Sequence, residues 1–360
     1  MSSRRSTPAG LWTAGVVFCV ITVGSTAAAD PPGAACLGIE DEARRLACFD
    51  EAIGAAVRAT AGEAAASVPV PAAASAGATP AAGAATASFA VPVAPTGLLI
   101  ETAWGFLPES RQAYVRLHQP NYLLFARYTN DVNRGPYEPL FAEFADEYDF
   151  EDLEAKFQLS FKGRLLTSED RRWGLWFAYT QQSQWQVFSD DISRPFRETN
   201  YMPELIGSFR PDIDLGGLKL NLLNFGYTHQ SNGRADPISR SWDRLFVEGG
   251  LDSESFALIV RAWTRIEPSA GEDDNPDIMD YMGYGQATAL YRWRDNTFTL
   301  MGRGNLATGK GAAQFSWTSR PVLGPLRVHF QLFSGYGESL IDYDWNQTTV
   351  GLGVTLNDLL

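Results

Sequence analysis

The chain is short of positive charge. Lysine and arginine number 29 against 42 aspartate and glutamate, giving a formal net charge of −13 over 360 residues. That balance argues against a general nucleic-acid binder, which needs a basic face. Long apolar runs are also missing. Beyond the N-terminus there is no run of about 18 large apolar residues, so no internal transmembrane helix is expected. Cysteine is scarce, with three in all. A mean hydropathy of −0.15 ordinarily describes a soluble protein, but a membrane β-barrel gives the same average because alternation hides its hydrophobicity. The length allows one large domain or two ordinary ones.

What is present begins with an address. Arg4 and Arg5 precede an apolar stretch from Leu11 to Val23, and Ala27, Ala28 and Ala29 stand before Asp30. Basic start, apolar core and small residues at the cut are the order of a secretory signal peptide, residues 1–29, cleaved after Ala29. The other reading, an N-terminal anchor helix, suffers from the shortness of the apolar run. Cys19 lies inside this leader, so the mature chain keeps Cys36 and Cys48. An even pair in an exported chain reads as a disulfide, with two free thiols as the alternative. No neighbouring histidine or further cysteine suggests a metal there. Residues 30–60 thus form a small Cys-bearing segment. From Ala61 to Pro95 the chain carries 16 alanines, 5 prolines and one charge, Glu63. Too few large apolar groups and too many prolines make this stretch a flexible tether.

From about Gly97 to Leu360 the pattern has period 2. Leu153, Ala155, Phe157, Leu159 and Phe161 alternate with Glu154, Lys156, Gln158, Ser160 and Lys162. Strands are expected near 121–129, 149–166, 173–188, 201–211, 218–231, 242–251, 256–266, 282–294, 297–306, 311–321, 326–336 and 347–358, with turn signals such as Asp295-Asn296 and Gly324-Pro325 between them. Sandwich strands run to about 5–6 residues, whereas a tilted spanning strand needs about 9–11. The expected fold is all-β: a twelve-stranded antiparallel transmembrane β-barrel over residues 97–360, with a soluble β-sandwich as the alternative. Trp173, Trp176, Tyr179, Trp185, Tyr281 and Tyr284 are placed near strand ends as an interfacial girdle. Outer-membrane barrels usually finish on an aromatic residue; here Leu360 is read as filling that register.

One segment carries chemistry. His229 and Ser231 are two apart on a strand and share a face with Leu223, Phe225 and Tyr227. That face is the apolar, lipid-facing one, where polar groups are costly unless they work. Asp243 shares the outer face of the next strand with Leu245, Val247 and Leu251. A hairpin of this length places Asp243 beside His229, which gives Ser231 as nucleophile, His229 as general base and Asp243 as the group that orients the ring. His-x-Ser alone is weak; the shared face, the acid on the neighbouring strand and the Asn-Gly-Arg-x-Asp-Pro loop between them strengthen it. His329 is expected to face the interior, and His118 precedes the first strand without evident partners.

The run His-Gln-Ser-Asn-Gly-Arg-x-Asp-Pro-x-Ser-Arg-Ser-Trp-x-Arg-Leu at His229 to Leu245 resembles the signature of the bacterial outer membrane phospholipase A family. Pro195 to Tyr201, Asp273 to Asp277 with Tyr281 to Tyr284, and Ser334 to Tyr343 match as well. The resemblance covers about Gly97 to the end, not the Cys-bearing segment or the tether. It implies an outer-membrane location, calcium (Ca2+) dependence, activation by homodimerisation, and hydrolysis of acyl esters at both glycerol positions of phospholipids and in lysophospholipids. By position, the Gly233 amide would help hold the oxyanion. The Arg234 carbonyl and Ser239 would bind calcium, with Ser193 of the partner subunit completing the site. Asp274, with Asp236, matches a calcium site of the monomer, and Gln181 a glutamine that pairs across the dimer. The family's pattern has Asn where this chain has Asp243. Two other functions stay open: a non-catalytic porin or scaffold barrel, and a lipid A deacylase.

Overall fold

Inside hydrocarbon every backbone N–H and C=O must find a partner within the protein, so alternating strands of this length are stable only as a closed ladder. The computed structural model, described for residues 97–106, 115–141, 150–190, 194–269, 271 and 273–360 together with Arg44 and Cys48, shows that closure. The strands are β1 (Val115–Leu117), β2 (Tyr122–Thr129), β3 (Leu153–Thr167), β4 (Trp173–Trp185), β5 (Phe196–Phe209), β6 (Ile213–Asp214), β7 (Lys219–Ser231), β8 (Ser241–Asp252), β9 (Phe256–Ile266), β10 (Gly285–Trp293), β11 (Asn296–Asn305), β12 (Lys310–Leu323), β13 (Leu326–Tyr336) and β14 (Asn346–Thr355). Sequential neighbours pair antiparallel, and β14 returns to β2 through Val350↔Tyr128 and Val354↔Leu123. The result is a closed 12-strand antiparallel barrel. The short β1 adds to β3 and the short β6 to β7. At the β14–β2 seam a bulge falls between Leu352 and Gly353. A Cβ on Gly353 would lie 1.9 Å from the Leu123 carbonyl oxygen, so only glycine admits the close approach there.

The two faces separate as the alternation requires. On β3, Leu159 and Phe161 are exposed to the membrane side while Lys156, Ser160 and Lys162 are buried inside. The interior is therefore polar, and its upper layer is an ion cluster. The Arg127 Nη1 donates to Glu154 Oε1 at 2.6 Å, and Arg127 also pairs with Glu338. Lys156 Nζ reaches Glu338 Oε1 at 2.9 Å. Arg197 Nε donates to Glu154 Oε2 at 3.1 Å and pairs with Asp342 at 3.4 Å.

Three elements depart from the sequence reading. Strand β5 begins at Phe196, five residues before its expected start, because the polar Arg197 and Glu198 are interior residues and not loop. Trp176 belongs to the inner face and not to the girdle: it is buried, and its Nε1 donates to Ser208 Oγ at 2.9 Å. Leu360 does not continue the outward register, since β14 ends at Thr355. Beyond it Asp358 Oδ2 accepts from Thr297 Oγ1 at 2.6 Å, and Leu359 and Leu360 pack against the buried core. Tyr284 and Trp173 are exposed, as a girdle requires.

An unforeseen helix α1 (Leu99–Trp104) lies against the inner wall. Ile100 and Trp104 join the core formed by Trp176, Ile206, Leu222 and Trp263. Its first turn is capped by the barrel, because the Ile100 amide donates to Asp252 Oδ2 at 2.7 Å and Asn221 Nδ2 holds Oδ1 of the same carboxylate at 2.7 Å. In the N-terminal unit, Met1–Ser88, Cys48 is disulfide-bonded; Cys36 lies outside the described residues. Glu154 holds two buried guanidiniums, so Glu154→Ala leaves both under-paired. The variant is expected to lose about 3–5 kcal/mol of stability, read as a lower urea midpoint for unfolding from lipid vesicles.

Candidate active site

The antiparallel register of β7 and β8 decides the site. His229 sits directly opposite Asp243, and Ser231 opposite Ser241. His229 Nδ1 and Asp243 Oδ1 are 2.9 Å apart. Tyr227, one step back on the same face, donates its hydroxyl to the same Oδ1. The His229 and Asp243 side chains are each 37% exposed, on the face that also bears Phe225, Leu245 and Val247. With Nδ1 engaged by the carboxylate, Nε2 is the ring atom left to exchange a proton. The structure thus brings His229 and Asp243 together as expected, with Ser231 one step further along the outer face of β7.

The loop that follows Ser231 is fixed by a residue to which the sequence reading gave no role. Asn232 is 3% exposed. Its Oδ1 accepts from the Arg234 amide at 3.3 Å and the Arg240 amide at 3.0 Å. Its Nδ2 donates to the Ile238 carbonyl at 2.7 Å. Asn232 therefore ties together both ends of the loop that carries Gly233. Gly233 adopts φ +64°, and a Cβ there would lie 3.1 Å from the Tyr201 ring, so both its conformation and its neighbour favour glycine. The signal for Asn232 was its place in the motif, but nothing in the spacing shows an amide folding back on its own loop.

The residues expected to hold calcium are partly gathered. Ser239 Oγ donates to Asp274 Oδ2 at 2.5 Å, joining the 232–240 loop to the connection between β9 and β10. Asn275 Oδ1, fully buried, accepts from the Ser241 amide at 3.2 Å. Asp236 is exposed on the same loop, and Arg234 turns its guanidinium to the Phe196 carbonyl at 2.9 Å. Ser193 lies outside the described residues. Nearby, Tyr343 donates to Asp277 Oδ1 at 2.7 Å; burial, then this bond, holds its phenol above the ordinary value. The two that meet, the Ser239 hydroxyl and the Asp274 carboxylate, are oxygen donors of the kind that suits a hard cation.

Gln181 is on the outer face of β4, in the same row as Ser231 and two strands away: it faces Tyr201 on β5, which faces Ser231 on β7. Its amide exchanges hydrogen bonds with Tyr179 and Ser183 at 3.2 and 3.4 Å. His329 is interior, bonded to Thr318 Oγ1 at 2.9 Å and stacked on Tyr122. His118, expected to lack partners, is buried and bonded through Nε2 to Glu204 at 3.2 Å.

Comparison with known proteins identifies the family of the chain. The phospholipase A1 family model matches residues 108–356. A putative phospholipase A1 of Neisseria meningitidis is 35% identical over 350 residues, 90% of each chain. Phospholipase A1 of Escherichia coli is 39% identical over 251 residues, 67% of this chain and 81% of that protein. Among solved structures, outer membrane phospholipase A from Escherichia coli superimposes with a TM-score of 0.63 at 39% identity, covering 68% of this chain and 99% of the other. The Salmonella typhi outer membrane phospholipase, a dimer with bound calcium, superimposes with a TM-score of 0.65 at 37% identity, covering 72% and 98%. The chain belongs to the phospholipase A1 family and is a multi-pass β-barrel of the bacterial outer membrane.

Proposed function

We propose that this barrel is a calcium-dependent serine hydrolase of membrane phospholipids. The observation that carries the reading is the His229 Nδ1–Asp243 bond of 2.9 Å on the lipid-facing wall, in register with Ser231. Ser231 Oγ attacks the acyl carbonyl while His229 Nε2 takes its proton. Asp243 stabilises the imidazolium so formed, and the Gly233 amide donates to the oxyanion. His229 then protonates the departing lysolipid, and water releases the fatty acid by the same steps in reverse order. Nothing in this geometry distinguishes the two glycerol positions, and a lysophospholipid presents the same ester, so both positions and lysophospholipids fall within the proposed substrate class.

Ser239, Asp274 and the Arg234 carbonyl are the residues of this chain that would hold calcium, with Asp236 beside them. When bound, the cation supplies positive charge near the developing oxyanion. The Salmonella typhi structure is a dimer with bound calcium, which supports assigning a homodimer here, with Gln181 at the interface and Ser193 of the partner subunit completing the cation site.

Fatty-acid release from phospholipid vesicles by the purified chain is expected to stop on calcium chelation and return on readdition. Ser231→Ala should lower it by about 10³-fold or more. Release that ignores both changes overturns the proposal, and release from lipid A alone points to a deacylase. The Asn232→Ala substitution frees the loop that carries Gly233, and is expected to lower kcat by up to about 10²-fold, the scale of a displaced oxyanion donor, with KM little changed. At Asp243, an asparagine can still accept the Nδ1–H bond but cannot stabilise the cation. Asp243→Asn should therefore stay within about tenfold of the parent, and Asp243→Ala should lose about 10²-fold or more; equal rates for the Ala variant and the parent exclude the triad role.

A further inference from the structure

Asp243 is a carboxylate on a wall that faces lipid, where a charge is costly unless other groups answer it. Among the described residues its hydrogen-bond partners are two, and both use the same oxygen. His229 Nδ1 lies 2.9 Å from Oδ1, and the Tyr227 hydroxyl donates to that atom as well. The ladder explains the convergence. Tyr227 precedes His229 by two residues on β7, so the two rings share a face. His229 is directly opposite Asp243, while Tyr227 is opposite Leu245, one step further from the 232–240 loop. The phenol therefore reaches Asp243 diagonally, within the span of an aromatic side chain. Its ring is 38% exposed on the outer face, beside Phe225 and Leu245.

A carboxylate tied to the imidazole alone could turn about its side-chain bonds toward the polar loop 232–240 and water. The phenol holds it from the opposite side, and a hydrogen bond to a charged acceptor is about twice as strong as one between neutral groups. We infer that Tyr227 is a positioning residue for the hydrolysis proposed above, the reading on which this inference rests. Its phenol fixes Asp243 Oδ1 against His229 Nδ1 and supplies the carboxylate with a hydrogen bond that acyl chains cannot. Tyr227 moves no proton in the reaction. By holding Oδ1 in place it keeps the imidazole in the tautomer whose Nε2 accepts from Ser231. The arrangement answers the charge at position 243: an asparagine there would be a neutral and weaker acceptor, and would gain less from the same phenol.

The test is a double-mutant cycle on the full chain in phospholipid vesicles with calcium, reading kcat and KM for fatty-acid release separately. Tyr227→Phe keeps the ring and removes only the hydroxyl, on a wall that already carries Phe225. It should lower kcat about tenfold in the parent and about threefold in Asp243→Asn, whose amide oxygen is a neutral acceptor. In Asp243→Ala, which has no acceptor, it should cause no further loss, and KM should stay unchanged throughout. That grading follows the charge of the acceptor, which a ring that only fills the wall would not sense. An equal loss in all three backgrounds, a loss carried by KM alone, or full kcat in Tyr227→Phe overturns the assignment and leaves the hydrolase reading in place. A parent that releases no fatty acid overturns that reading and the assignment together.

Discussion

Closure of the hydrogen-bond ladder is the constraint on which everything else rests. A strand edge left open in hydrocarbon strands its amides and carbonyls without water, so β2 and β14 must meet even though the sequence separates them by more than any other neighbouring pair. The seam is made possible by Gly353, whose missing side chain lets the two backbones approach at the bulge. Once the ring is shut, each side chain has only two destinations, and the polar half is gathered into the interior. The Arg127, Glu154, Arg197, Glu338 and Asp342 layer follows from that confinement: each of its buried charges meets a counter-charge.

The same geometry explains why a hydrolase of lipids places its polar residues on the outer wall. His229 and Asp243 are half-screened by Phe225, Leu245 and Val247, in reach of an acyl ester that never leaves the bilayer. Their attraction is strengthened by the apolar surroundings, and the polar loop 232–240 that Asn232 holds in shape follows directly on the strand that carries His229. The oxygen pair Ser239–Asp274 lies at that loop's far end, where, under the proposed function, a cation would be held beside the substrate.

Most of the barrel was legible because a period of two is a direct consequence of a wall with one wet and one greasy side. The strands and the pairing of His229 with Asp243 follow from it. What could not be read was inward irregularity. Arg197 and Glu198 look like loop residues until a counter-charged interior receives them. Trp176 looks like a girdle residue until an indole N–H finds Ser208. The six residues of α1 carry no periodicity long enough to register beside an Ala/Pro tether, and their place is set by Asp252, more than a hundred residues away. Likewise the Ser239–Asp274 contact joins two loops, and loop-to-loop distances have no trace in spacing.

The facing of His229 by Asp243 has a consequence for biogenesis. A slip of one residue between β7 and β8 would turn Asp243 into the lumen and bring Trp242 or Arg244 opposite the imidazole. Unlike a site assembled from distant loops, this pairing is conditional on a single hairpin's register: a slipped barrel keeps its wall but loses the His229–Asp243 contact.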